Sequence, residues 1–357
     1  MAPAMLSQRA GKRGDEKARF KRGARPRRPT MVDVANEARV SQTTVSLVLN
    51  QADGARLSAQ TRERVIKAAA KLGYQPGRRG DAPLSRASTI GFICDEISTD
   101  PWTSIGFDGV REKAWERGLT VTVVVTRGDV DMEAAALEQL ASQPLFGLIF
   151  ATVNTRLVHP PATLPQTPTV LLNCHVANRA LPSVVPSEVA GGHAATNFLL
   201  QAGHRRIGYI NGEPSMEASQ QRLRGYRRAL SSADLPFDPE LVRDGNWQPV
   251  SGYEGARALM LSPSPPTAIF CANDLMAMGC YDALRELGMR IPEDIAVMGY
   301  DDREIARHLH PPLTTVLLPH FEMGTIAAEL LFDMAARLAA RPDQIKVECP
   351  IVERKSV

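Results

Sequence analysis

No apolar run in this chain approaches the roughly 18 residues that a membrane-spanning helix needs, so no bilayer segment is expected. The first 28 residues also lack the apolar core of a secretory leader. Cysteine is scarce, an odd five (Cys94, Cys174, Cys271, Cys280 and Cys349), widely scattered and each within or beside an apolar stretch. That distribution argues against a disulfide framework, and no pair has the spacing of metal ligands. Reduced core cysteines of a cytoplasmic protein are the reading. The seven histidines, His159, His175, His193, His204, His308, His310 and His320, fall in no Ser-His-Asp or metal-binding pattern. A phosphate-cradling glycine loop is missing too. Neither an enzyme nor a bound metal or cofactor is expected.

What is present is a strong charge asymmetry. The 357 residues exceed one typical domain, and their net charge of +3 hides two opposite regions. Residues 1–87 carry 19 Lys and Arg against 7 Asp and Glu, whereas 88–357 carry 23 against 32. A basic head on an acidic body is the electrostatic signature of a chain that neutralises phosphates and binds nucleic acid salt-sensitively. Ten of the basic residues lie before Pro29, among almost nothing apolar. Residues 1–29 therefore read as a disordered arm, either a phosphate-contacting tail or an inert extension.

Residues 30–50, TMVDVANEARVSQTTVSLVLN, follow the arm. Met31, Val34, Ala35 and Ala38 recur at helical spacing, and so do Val45, Val48 and Leu49. The polar break Arg39-Val40-Ser41 divides them into two short helices joined by a tight turn. Ser41 suits the N-cap of the second helix, which opens with Gln42 and Thr43. Side chains there are placed to meet base edges in a major groove. A third helix, from roughly Ala59 to Leu72, ends at Gly73-Tyr74-x-Pro76. The bland alternative is a three-helix core without purpose, which the surrounding charge opposes.

After Ser88 the pattern becomes alternating strands and helices. Ile90–Cys94, Val121–Val125, Leu148–Ala151 and Val170–Leu172 read as buried strands, with helices over Ile105–Arg117 and Asp131–Ser142. A second series places helices at Val189–Ala202, Gln220–Ala233, Ser251–Leu261 and Leu275–Leu287. Its strands are Ile207–Ile210, Ala268–Cys271 and Ile295–Met298, and a last strand is expected over Val347–Val352. Repeated βα units imply parallel, doubly wound sheets, here in two lobes with a cleft between them. Ligands in such sheets bind beyond the carboxyl ends of strands. Asp95, Asn173, Asn273, Asp274 and Asp301 each follow a strand, and suit a hydroxyl-rich ligand. Trp102 and Trp247 offer apolar faces for a sugar ring. For any one of them, a cap or turn role is an equally good reading.

The segment DVANEARVSQTTVSLVLNQ, with LSAQTRERVIKAAAKLGYQP at 57–76, resembles the DNA-binding head of the LacI/GalR family of bacterial transcription regulators. ANDLMAMGCYDALRELG at 272–288, IPEDIAVMGYDD at 291–302 and HPPLTT at 310–315 resemble that family's effector-binding body. The resemblance implies a small all-α helix-turn-helix headpiece and an α/β two-lobed domain similar to periplasmic sugar-binding proteins. It implies a head at 30–76, a hinge linker at 77–87 and a body at 88–357. The first lobe would span about 88–187 and 320–342, and the second about 188–318 and 343–354. It further implies double-stranded, pseudo-palindromic operator DNA as partner, a small-molecule effector in the cleft, and a homodimer formed through the body. No leucine heptad tail follows the last strand, so a tetramer is not expected.

Residue by residue, Ser41, Gln42, Thr43, Thr44, Ser46, Leu47, Asn50, Thr61 and Tyr74 fall at the head's DNA-binding positions. Gln42 and Thr43 would read bases, Leu47 would touch a thymine methyl, and Thr44, Ser46, Asn50 and Thr61 would hold phosphates. Arg222 in QRLRGY matches the effector-contacting arginine, and Trp247 in GNWQPVSGY the stacking tryptophan. Asn273 and Asp301 match the distal lobe's polar contacts, Asp95 and Asn173 those of the proximal lobe, and His320 sits at the crossover. A carbohydrate is the expected effector, with a purine corepressor as the alternative. A sugar-binding transport protein is the remaining reading, opposed by the DNA-binding head. Three departures stand out. Arg39 replaces a turn glycine, Leu47 replaces a base-reading arginine, and Gly77, Gly80 and Pro83 make the linker a poor helix, with Leu84, the minor-groove wedge, one residue late.

Overall fold

The structure, a computed structural model, describes residues 29, 31–49, 58–74, 89–98, 100–160, 167–336 and 343–357. The basic arm, the linker with Leu84, and Asn50 lie outside the described residues.

The head is a three-helix unit of α1 (Met31–Ala38), α2 (Gln42–Leu49) and α3 (Ala59–Leu72). Val34, Val45 and Val65, one from each helix, are fully buried at its centre. Helical spacing puts them on the inward faces, so burial of that stripe holds three helices too short to stand alone. Ser41 Oγ accepts from the Thr44 N–H at 3.1 Å, the cap that the sequence predicts for α2. Ser58 caps α3 in the same way through Thr61. Gly73 ends α3 in the left-handed region at φ 67°, where a residue without Cβ is unstrained. Arg39 adopts φ 54° in the turn between α1 and α2, so the backbone stays left-handed without a glycine.

The first lobe is a six-stranded parallel sheet in the order β11-β5-β4-β3-β1-β2. Its strands are β1 (Thr89–Cys94), β2 (Thr120–Val125), β3 (Leu145–Leu157), β4 (Thr169–His175), β5 (Ser183–Pro186) and β11 (Gln344–Val347). Helices α4 (Trp102–Glu116) and α11 (His320–Ala335) cover one face and α5 (Val130–Ala141) the other. Strands buried on both sides explain the unbroken apolar runs.

The second lobe has a four-stranded parallel sheet, β7-β6-β8-β9, of Val242–Arg243, Ile207–Ile210, Ala268–Cys271 and Ala296–Met298 respectively. It is wrapped by α6 (Glu188–Gln201), α7 (Glu217–Ser232), α8 (Pro249–Met260), α9 (Asp274–Glu286) and the short α10 (Glu304–His308). Two short strands, β10 (Thr315–Val316) and β12 (Ile351–Val352), pair antiparallel beside it. The five cysteines are free and buried.

Three expectations need correcting. The single strand at Val347–Val352 is two strands on different sheets, because Glu348-Cys349-Pro350 is the chain's third passage between the lobes. Residues 344–347 therefore belong to the first lobe's sheet, not to the second lobe. Asn173 lies inside β4 rather than after it. Strand β5 went unread: four residues ending in proline carry too little periodicity.

The reading helix and the seat between the lobes

Gln42, half-buried, opens α2, and Thr43, Ser46 and Leu47 belong to the same helix, though their side chains lie outside the described set. Thr44 shares its hydroxyl with Ser41 at 2.9 Å, and Thr61 shares its own with Ser58 at 2.9 Å. Both threonines are thus held at helix starts, where backbone N–H groups face outward and favour anions. Tyr74 packs its ring against the head's core, which gives it a structural task as well as its expected one.

In the first lobe the nominated polar residues turn inward. Asp95 at the end of β1 accepts from the Val153 N–H at 2.9 Å and from Arg156 Nη1 at 2.6 Å. Asn173, at φ 59°, accepts from Thr155 Oγ1 at 2.6 Å and donates to the carbonyls of Thr152 and Val153 at 3.0 Å each. Between Ala151 and Arg156 the β3 register shifts against β4, and these two side chains hold that excursion in place.

The second lobe contributes a buried charge network. Arg222 on α7 forms a two-bond fork with Glu188 on α6, at 2.8 and 2.9 Å. Its Nη1 reaches the Ala272 carbonyl and, at 3.3 Å, Asp301. Its carbon centre lies 3.7 Å from the Tyr300 ring centroid and 5.4 Å from that of Trp247. Four of its five N–H groups are therefore engaged, leaving one. Burial opposes the charge of Arg222, yet Glu188 and then Asp301 hold its pKa well above the ordinary arginine value. Asp301 moves upward too, to about 6, because burial outweighs the pull of Arg222 and Arg303. The geometry explains the pair: the charge of Arg222 is committed mainly to Glu188. Asp274, completely buried, is raised well above the usual carboxylate range by burial and by neighbouring Asp301.

Asn273 caps α9, accepting from the Met276 N–H at 2.8 Å and donating to the Trp247 carbonyl at 3.0 Å. Its side chain is thus a brace for Trp247. That indole, at φ 68°, lies so close to Gly212 that a Cβ there would come within 2.2 Å of the ring. Trp102 differs from expectation. It is buried, belongs to the second lobe's core despite sitting on α4, and stacks on His320 at 5.2 Å. Arg303 covers the same indole at 4.7 Å, so Trp102 presents no free face to a sugar. Burial drives the His320 pKa down to about 3, so its imidazole is neutral at physiological pH. Its Nε2, with Thr103 Oγ1, Ser219 Oγ and Arg303 Nε, is buried without a hydrogen-bond partner among the described residues.

Sequence reasoning missed Glu188, Asp100 and Arg303. Arg303 reaches Asp100 of the first lobe and lies 3.6 Å from Asp301 of its own. His175 and Glu217 form a second cross-lobe pair at 2.9 Å. A cavity of about 270 Å³ opens beside that pair, lined also by Arg179, Gln221 and Lys346, and contains none of the nominated effector residues. Among the described residues no cluster of His, Cys, Asp and Glu is placed to hold a metal ion, and no helix is long and apolar enough to cross a membrane.

Residues 30–77 match the family described as bacterial regulatory proteins, lacI family, and 196–357 match a periplasmic binding protein-like domain. The ribose operon repressor of Haemophilus influenzae is 33% identical over 304 residues, 85% of this chain and 90% of that protein. The HTH-type transcriptional repressor PurR of Aliivibrio salmonicida is 30% identical over 92% of this chain and 98% of its own length. Among solved structures, a transcriptional regulator CelR–cellobiose complex superposes with a TM-score of 0.64 at 32% identity, covering 92% of this chain and 100% of that one. The lac repressor dimer bound to operator and an anti-inducer gives a TM-score of 0.64 at 29% identity, covering 92% and 99%. The likeness takes in the head and both lobes of one chain, which belongs to the lacI family of bacterial regulatory proteins and is a DNA-binding transcriptional repressor with a ligand-binding body.

Proposed function

We propose that the chain works as a twofold dimer on a pseudo-palindromic operator and that a neutral carbohydrate between its lobes controls DNA affinity. One head spans only a few base pairs, so useful specificity needs two, and twofold symmetry then demands matched half-sites. Gln42 and Thr43 read base edges, Leu47 gives apolar contact, and Ser41, Thr44, Ser46, Asn50 and Thr61 position the backbone. Leu84 serves the linker's approach to the minor groove.

The observation that carries the effector reading is the set of buried, unpaired polar atoms on Thr103, Ser219 and His320, together with the spare N–H of Arg222, whose charge His320 feels. A buried hydroxyl or imidazole without a partner is costly, and a polyol supplies both donors and acceptors. Charge matching favours a neutral one. Arg222 and Arg303 face Glu188, Asp301 and Asp100, so no guanidinium is left over for a phosphate or a sugar acid. Asp95, Asn173 and Asn273 shape the seat through the backbone they hold, and Trp247 forms its wall. Similarity to the ribose operon repressor and to a cellobiose-bound regulator supports a sugar, while similarity to PurR keeps a purine as second reading.

Thermal shift with D-ribose, cellobiose and hypoxanthine separates the two. A ligand at about 100 times its Kd adds roughly 2.7 kcal/mol of stability. A response to hypoxanthine and to neither sugar class overturns the carbohydrate assignment. Gel shift then gives the sign of control: Gln42→Ala should change base preference at defined operator positions, and uniform weakening at all sites removes it as a reader.

A further inference from the structure

We propose that Arg303 is a cross-lobe latch, a positioning residue that fastens the second lobe to the first and holds the buried Trp102 in place between them. Its backbone N–H is anchored on Asp274 Oδ2 at 2.7 Å, so the side chain starts from a fixed point beyond β9. From there the guanidinium lies over the Trp102 indole at 4.7 Å, pairs with Asp100 in the β1–α4 connection, and stays 3.6 Å from Asp301. Its side chain is only 17% exposed, so screening by solvent is weaker than for a surface pair. One planar cation thus touches a carboxylate of each lobe and the tryptophan that wedges the first lobe into the second lobe's core.

A planar fork can stack on a ring and pair in its plane at once, which an ammonium cannot do. Trp102 in turn stacks on His320, the first residue of α11, where the chain has just crossed back into the first lobe. Holding Arg303 in place therefore holds the tryptophan, the histidine and the lobe spacing together. Only the two-lobed architecture is needed for this, not the identity of effector or operator, so it stands or falls apart from the carbohydrate reading.

Hydrogen exchange on the full chain tests it, because a latch must act on the lobe that is not mutated. Arg303→Gln should speed amide exchange in first-lobe residues 100–107 by about tenfold. Asp100→Asn, at a partly exposed loop site, should do the same to second-lobe residues 303–308. The double variant should be no looser than the looser single, since both remove one shared contact. Arg303→Lys, which keeps the charge but loses the plane, should fall between native and Arg303→Gln. If each substitution loosens only its own lobe, or the double variant sums the two single effects, Arg303 is a local brace and the latch is refuted.

Discussion

The two lobes solve the same problem, buried polar side chains, in opposite ways. In the first lobe Asp95 and Asn173 spend their hydrogen bonds on the neighbouring β3 excursion, and the charge of Asp95 is met by Arg156, whose side chain is 43% exposed. In the second lobe Arg222, Glu188 and Asp301 are each at most 5% exposed and answer one another. Water can take up Arg156 if its pair with Asp95 is broken. It cannot reach the second lobe's network. The first lobe therefore offers a tolerant, backbone-shaped half of the seat, and the second a rigid half whose charges tolerate little change.

The sharpest break in that comparison is Arg222→Met. It leaves Glu188 buried without its fork and should destabilise the body by about 3–5 kcal/mol, read from denaturant midpoints. Arg222→Met combined with Glu188→Leu should lose less than Arg222→Met alone, because the stranded charge is gone. If the double variant is worse, the pair is not the second lobe's controlling interaction.

Next in size is Asn173→Ala. Three hydrogen bonds go, and alanine must hold φ 59°, which asparagine tolerates better. The expected cost is about 2–3 kcal/mol, with faster exchange confined to residues 152–156. A larger loss than that of Arg222→Met would invert the contrast between the lobes.

These sites also mark how far the sequence could be read. The head was legible because a helical apolar stripe and a serine cap are local features, and the sheets because buried strands are continuous apolar runs. Strand-end positions drew attention to Asp95, Asn273 and Asp301, all of which are buried and hydrogen-bonded. Their partners were not legible: Glu188 is 34 residues from Arg222, and Asp100 is 203 from Arg303, so no spacing rule links them. Two asparagines at similar places took different tasks, Asn173 inside a kinked strand and Asn273 capping a helix, and only tertiary structure separates them. The covering of Trp102 was not legible for the same reason, since the groups on its ring come from residues 303 and 320.

Asp301→Asn measures the second lobe's surplus of negative charge through pH. The folded-state pKa of about 6 lies above the ordinary aspartate value of 3.8, so the folded chain holds this proton more tightly than the unfolded chain. Stability from that proton is complete below about pH 4 and is lost as pH rises through about 6. The neutral amide keeps an acceptor for Arg222 and has no proton to lose. Relative to native, Asp301→Asn should therefore gain stability above pH 6, on the order of 1–2 kcal/mol, and gain nothing near pH 4. A difference independent of pH would show that Asp301 is fully answered by Arg222 and Arg303.

The smallest effect belongs to Asp95→Asn in the first lobe. An amide oxygen can still accept from the Val153 N–H, so the bond that holds the β3 excursion survives. What disappears is the charge opposite Arg156, and a guanidinium 43% exposed returns to water at little cost. Pairs of that kind contribute about 0–1 kcal/mol, so the midpoint should move by less than that, and raising salt in the native chain should imitate the change. Neutralising Glu188 in the second lobe would strand the buried guanidinium of Arg222; here solvent takes up the difference. A loss above about 2 kcal/mol, insensitive to salt, would mean that Asp95 is as deeply committed as Glu188 and that the lobes do not differ in the way their geometry states.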